Sequence, residues 1–299
     1  MTLSQTTSGT TVVARLSTSE STALWLSDLL TDQLDARDVV LASSEPTSPA
    51  WTVAIYFHSS PDQTAVRNFV ANVVGKKAGD ALTFETLPER DWVAAGLQGL
   101  KPVAAGRFVV HGQHDRARVA ANRIGVEIEA ALAFGTGHHG TTRGCLLALD
   151  RLLKARRPRR ILDVGTGSGV LAIAAGKACR RPVLASDIDR NAVKAATQNA
   201  RANRVASFVH VIRADGVRDR RIRSRGLYDL VFANILLHPL KRLAAPLAGL
   251  AAPRGLIVLS GLLASQANAA LAAYRMQGLA LDHRIVLDGW ATLVLTRRR

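Results

Sequence analysis

The densest chemistry in the chain lies in Ile161-Leu-Asp163-Val-Gly165-Thr-Gly167-Ser-Gly169. An apolar run leads into three glycines spaced by two, and a helical stretch follows. Such a loop lets its backbone approach a ligand with no Cβ in the way. The spacing narrows the ligand. A dinucleotide loop of the Gly-x-Gly-x-x-Gly kind needs glycine at 170, where Val170 stands, and there is no Gly-Lys-Ser/Thr to cradle phosphates. The next apolar run ends at Asp187, 24 residues after Asp163, where a carboxylate can accept hydrogen bonds from both ribose hydroxyls. Asp189 reads as the cap of a helix beginning near Asn191. Asp215, after the following apolar run, either reaches an adenine amine or opens an Asp-Gly turn.

These residues need strands to hold them. Arg160–Val164, Pro182–Asp187, Val209–Arg213, Asp229–Asn234 and Gly255–Gly261 are continuously apolar and separated by helical segments, which predicts a parallel sheet covered on both faces. Leu279–Leu287 and Ala291–Thr296 flank the tight-turn pair Asp288-Gly289 and predict a closing antiparallel hairpin. The N-terminal 90 residues follow a different plan. Strand signals begin at Thr11, Asp38, Trp51 and Leu82, and helix signals run over Glu20–Leu34, with Ser19 as N-cap, and Pro61–Val74. That βαββαβ order predicts a ferredoxin-like two-layer domain. The expected division is a domain over 1–90, a linker with a short strand or two over 91–132, and a larger domain over 133–299.

Charge divides the chain in the same region. The whole of 299 residues carries a net charge of +16, but residues 1–95 sum to −5 and the remainder to +21. Apolar residues at 48% exclude a mainly disordered chain. Cys145 and Cys179 have no metal-ligand spacing and make no disulfide framework, so they read as small buried residues, and no metal site is expected. The N-terminus lacks the basic start and apolar run of a signal peptide, and no stretch of about 18 apolar residues exists. A cytoplasmic protein without membrane contact is expected.

Three further segments make the reading specific. They are Phe134-Gly-Thr-Gly-His138-His139-Gly140-Thr141-Thr142, Asp229-Leu-Val-Phe-Ala-Asn234-Ile-Leu-Leu and Leu259-Ser260-Gly261-Leu-Leu-Ala-Ser-Gln. With the Asp-x-Gly-x-Gly-x-Gly loop, Trp92 and Trp290, they resemble the bacterial methyltransferases that modify large-subunit ribosomal protein eleven. The resemblance covers residues 90–299 and reaches 1–90 only as domain order. It implies a Rossmann-like class I fold using S-adenosylmethionine (SAM), with a small N-terminal α/β domain for substrate recognition. Its cofactor contacts would be Thr142, Gly165, Gly167, Asp187 and Asn234, and its substrate that ribosomal protein, taken by a monomer and methylated on its α-amine and lysine side chains. One departure stands out: members commonly show Thr-His-Pro-Thr-Thr where this chain has His138-His139-Gly140-Thr141-Thr142, and glycine for proline is expected to loosen that loop.

Methyl transfer to nitrogen is an in-line displacement that needs a neutral amine. Deprotonating an α-amine near pH 7 costs about 1 kcal/mol and a lysine roughly 4–5 kcal/mol, and an apolar pocket lowers both pKa values. Asn234, at the end of the fourth strand, can accept amine hydrogens and aim the lone pair, or contact the cofactor. No general base is evident; His138 and His139 are candidates, although histidines in glycine-rich loops more often tie the loop to itself. Two other readings stand beside this one. A sister group methylates lysines of electron-transfer flavoprotein and shares the glycine loop, but the Phe-Gly-Thr-Gly and Asn-Ile-Leu segments match the ribosomal group better. An RNA-binding assembly factor would instead use Lys154–Arg160 and Arg218–Arg225 for ribosomal RNA contact, although neither basic cluster has interleaved aromatics.

Overall fold

The computed structural model describes residues 11–19, 22, 23, 26, 30, 39–44, 51–57, 60–87, 102–128 and 139–297. The chain divides into two compact units, Met1–Trp92 and Val93–Arg299.

The first unit is built on a four-stranded antiparallel sheet. Its strands β1 (Thr11–Thr18), β2 (Val39–Ser44), β3 (Trp51–Phe57) and β4 (Thr83–Leu87) lie in the order β2-β3-β1-β4. That order is the ferredoxin-like arrangement the βαββαβ pattern predicts. Ser19 caps the first helical segment: its Oγ accepts from the Thr22 N–H at 3.4 Å. The second helix, Gln63–Val74, opens at Asp62, whose side chain accepts from the Ala65 N–H at 3.1 Å. Alternate strand residues Val12, Ala14 and Leu16 meet Val53, Ile55, Val66 and Val70 in one core.

In the second unit, the region expected as a linker holds its own small sheet. Strands β5 (Val103–Ala105), β6 (Phe108–His111) and β7 (Ile124–Glu127) pair in that order, β6 and β7 in parallel. Ala105, Phe108 and Val126 share a core with Leu146 and Leu149 of the His139–Ala155 helix and Leu171 of the Val170–Cys179 helix. Short strands and a 3-10 turn leave too little periodicity for this packing to be read from sequence.

The main sheet has seven strands: β8 (Ile161–Val164), β9 (Val183–Asp187), β10 (Val209–Arg213), β11 (Tyr228–Asn234), β12 (Ala251–Leu263), β13 (Leu279–Leu287) and β14 (Trp290–Arg297). Their order is β10-β9-β8-β11-β12-β14-β13, with β8–β12 parallel and β14 antiparallel to both neighbours. This is the class I methyltransferase arrangement, a parallel sheet closed by an antiparallel hairpin. Asp288 and Gly289 hold φ of 51° and 78°, the left-handed pair that a two-residue hairpin turn requires.

Two cores explain why the central strands are largely apolar on both faces. Leu230 and Phe232 enter the core on one face, and Val231 and Ala233 enter the core on the other. Truncating Phe232, which is fully buried, to alanine would cost about 3–5 kcal/mol through lost transfer energy and the cavity left behind. Cys145 and Cys179 are free and buried, and burial pushes their thiols up to about 12 and about 11, so neither is a ready nucleophile.

Candidate active site

Strands β9, β8 and β11 are neighbours, and the chain runs outward from β8 in one direction and from β11 in the other. The carboxyl ends flanking that switch are where open α/β sheets form a ligand crevice. The glycine loop, Asp187 and Asn234 all lie there.

The loop leaves β8 and turns at Gly165, Gly167 and Gly169, with φ of 68°, 54° and 83°. L-residues with side chains rarely hold that region, so the spacing of the three glycines follows from the path of the backbone. Gly165 has a second constraint: a Cβ there would lie 2.3 Å from Ile235 Cγ2. The loop is pinned to β9, because the Gly165 and Thr166 N–H groups both donate to the Ser186 carbonyl, at 2.9 and 3.0 Å.

Two carboxylates shape the crevice. Asp187 accepts from the Gly167 N–H at 2.9 Å through one oxygen and from the Asp189 N–H at 3.0 Å through the other. An ionised carboxylate offers about four acceptor positions, so roughly two remain for a ligand. Asp189 instead caps the Arg190–Ala202 helix, accepting from the Asn191 N–H at 2.9 Å. Asp163 is 1% exposed and accepts from the Thr166 hydroxyl at 2.6 Å and the Ala172 N–H at 3.2 Å. Burial pushes its pKa up to about 7 against those two hydrogen bonds, and nearby Asp187 adds to the rise. Asp215 is exposed and precedes Gly216 at φ 59°, in the turn geometry of an Asp-Gly pair.

Thr142 lies in the first turn of the His139–Ala155 helix, 8% exposed, and its Oγ1 has no hydrogen-bond partner among the described residues. An unpaired buried hydroxyl costs about 1–3 kcal/mol, so a ligand atom is its natural complement. A buried hydroxyl pair anchors this helix start: Ser260 Oγ lies 2.9 Å from Thr292 Oγ1 and reaches the Thr141 carbonyl at 3.4 Å. Ser260 is in register with Asn234 across β11 and β12, so Thr142 and Asn234 belong to one neighbourhood. Asn234 is half-buried at the carboxyl end of β11.

His138 lies outside the described residues, as does the Phe134-Gly-Thr-Gly segment, and His139 opens the helix. Gly140 is no loop residue. It is buried in the helix, and a Cβ there would lie 2.9 Å from the Leu287 carbonyl oxygen and 3.0 Å from Trp290 Cδ1. The glycine admits the β13–β14 hairpin against the helix, and the loop before it lies outside the described residues.

A supporting relay was missed from sequence. Asn203 donates to the Glu127 carbonyl at 2.6 Å and accepts from the Glu127 N–H at 2.9 Å. It also donates to the Asn199 carbonyl at 2.8 Å, and Asn199 donates to the Ser168 carbonyl in the glycine loop at 2.9 Å. The signal was present: Asn199 and Asn203 fall on the buried stripe Ala192, Ala195, Ala196 and Ala200, where an amide must find partners.

Comparison with known proteins adds to this geometry. A family profile described as ribosomal protein L11 methyltransferase (PrmA) matches residues 4–298. The chain is 50% identical over 278 residues to the ribosomal protein L11 methyltransferase of Rhodopseudomonas palustris (strain BisB5), covering 93% of this chain and 94% of that one. It is 50% identical over 279 residues to the protein of that name from Bradyrhizobium diazoefficiens, covering 93% and 95%. A crystal structure of a ribosomal protein L11 methylase from Lactobacillus delbrueckii subsp. bulgaricus matches with a TM-score of 0.60 at 27% identity, covering 66% of this chain and 99% of that one. With its strand order, its glycine loop and a match that runs almost end to end, the chain belongs to the ribosomal protein L11 methyltransferase family.

Proposed function

We propose that this protein transfers methyl groups from SAM to amino groups of ribosomal protein L11, both the α-amine and lysine side chains. The observation that carries the reading is the match over residues 4–298 to the family of that name. No described helix is long and apolar enough to cross a membrane, which agrees with a cytoplasmic enzyme acting on a ribosomal component.

The crevice fits the cofactor on three counts. Asp187 keeps acceptor capacity suited to ribose hydroxyls, the Thr142 hydroxyl is buried without a partner among the described residues, and the loop passes through Gly165 at a point where a side chain has no room. Thr142, Gly165, Gly167, Asp187 and Asn234 would hold SAM, which supplies an already activated methyl group when bound. The chain's own task is then alignment and a neutral amine. Asn234 would accept amine hydrogens through its side-chain oxygen and so aim the nitrogen lone pair. The proton would leave to solvent before transfer, because only the neutral amine has a lone pair to attack with.

The N-terminal unit is proposed to recognise the substrate. Its residues lie within a stretch of net charge −5, which suits a basic ribosomal protein. The test is incubation of the purified protein with radiolabelled SAM and unmethylated ribosomal protein L11. Label in that protein is expected. Its absence there, with label appearing in another substrate, would overturn the assignment.

A further inference from the structure

The charge of +21 beyond residue 95 is not spread evenly, and the sheet topology shows where some of it gathers. Strands β8–β12 run parallel, so the segments entering them share one end of the sheet, opposite the glycine loop. In spatial order from β10 to β12, those segments carry Arg204, Arg181, Arg160 and Arg225, and the irregular start of β12 carries Arg254, with Arg180 beside Arg181. All six are exposed. None of their side chains joins an ion pair among the described residues. Asp229, at the start of β11, accepts through one carboxylate oxygen from the backbone N–H groups of Arg159 and Arg160 at 2.8 and 2.9 Å and pairs with no arginine side chain among the described residues.

Backbone conformation supplies a second, independent observation. Four non-glycine residues hold positive φ among the described ones, and three are Arg180, Arg204 and Arg254, at 51°, 58° and 60°. Arg180 and Arg204 occupy the left-handed positions that end the Val170–Cys179 and Arg190–Ala202 helices, where glycine is the ordinary choice. The chain accepts strained backbone to keep a guanidinium at three of these five segments.

Neighbouring strands are about 4.8 Å apart, so five strand ends present a row of positive charge roughly 19 Å long. We propose that this row is a docking track for the phosphate backbone of RNA. A linear series of guanidinium forks suits a linear polyanion, and arginine pairs with phosphate through two donors at once. The row has no aromatic residue among its six members, so it would hold the backbone without stacking bases. The track faces away from the glycine loop, so bound RNA leaves the crevice open, and the inference does not depend on the methyl-transfer reading.

Fluorescence anisotropy of the full chain with a fluorescein-labelled RNA duplex of about 20 base pairs tests this across a potassium chloride series. R180G/R204G/R254G should melt no lower than the parent, since glycine relieves the left-handed positions, yet should bind at least about tenfold more weakly. The slope of log affinity against log salt should become shallower by about three. R160Q/R181Q/R225Q, which leaves those backbone positions unchanged, should lose affinity similarly and decides the matter if the glycine variant folds poorly. R190Q/K194Q/R218Q removes the same charge away from the row and should lose less than about twofold. Equal losses in the row and control variants, no loss in the row variants, or row-dependent binding to phosphatidylglycerol vesicles without RNA binding would each overturn the proposal.

Discussion

Replacing Asp163 by asparagine should change how the stability of the protein depends on pH, and the direction follows from its burial. The carboxyl is 1% exposed, and burial raises its pKa from 3.8 to about 7 although Thr166 and Ala172 donate to it. Below about pH 4 it is protonated in both the folded and unfolded chain and contributes no slope. Between about pH 4 and 7 the folded chain keeps a proton that the unfolded chain has released, so stability falls as pH rises, by about 1.4 kcal/mol per pH step. Above about pH 7 the loss is complete. Asparagine keeps an acceptor for Thr166 and Ala172 but cannot ionise. Its amide lacks the same fit, which costs about 1 kcal/mol at every pH. The stability difference between variant and parent should therefore move in favour of the variant by roughly 2–3 kcal/mol from about pH 5 to pH 8. Urea unfolding of both proteins at the two pH values measures this. A difference that stays constant within about 0.5 kcal/mol would refute the reasoning, because it would mean that Asp163 is ionised in the fold throughout.

Three other perturbations bear on the site and its substrate. Gly165→Ala places a Cβ at the 2.3 Å approach to Ile235 on a backbone of positive φ, and should cost about 2–4 kcal/mol, read as a lowered Tm. Asp187→Ala removes the acceptor of the Gly167 and Asp189 N–H groups, and should raise KM for SAM at least about tenfold with a smaller change in kcat; an unchanged KM would remove Asp187 from the cofactor site. Asp80→Lys with Glu85→Lys reverses two exposed charges in the N-terminal unit, and should raise KM for ribosomal protein L11 more than it lowers kcat, whereas the opposite split would argue against recognition by that unit.

The central parallel strands were legible because burial on both faces demands apolar runs, and Ile161–Val164 and Val183–Asp187 fall within a residue of where the sequence predicts them. The half-exposed edge strands Val209–Arg213 and Leu279–Leu287 also fall at their predicted bounds. The start of β12 was not. Ala251–Arg254 includes a proline and the left-handed Arg254, and the β11 pairing slips between Tyr228 and Leu230, so strand chemistry emerges only from Gly255 onward. At the site, glycine spacing announced the loop because backbone conformation selects glycine directly. The proposed role of Thr142 rests on a hydroxyl with no partner among the described residues, and the support given by Asn199 and Asn203 on carbonyls distant in sequence. A composition or period carries neither. The packing that leaves no room for a side chain at Gly140 involves the Leu287 carbonyl, 147 positions away in the chain, and no local pattern shows it.

The order of the last three sheet positions has a consequence for synthesis. β14 follows β13 in the chain but lies between β12 and β13, so β13 cannot take its place in the sheet until the strand after it has been made. Thr292 on that same strand holds Ser260, which reaches the start of the His139–Ala155 helix. The helix that carries Thr142 is thus translated about 150 residues before the strand that fastens it. A nascent chain lacking residues 290–297 would present an unpaired strand and an unanchored helix start. The fastening of the helix that carries Thr142 therefore waits on β14, and until that strand inserts, the edge of β12 stays open to pairing with another chain.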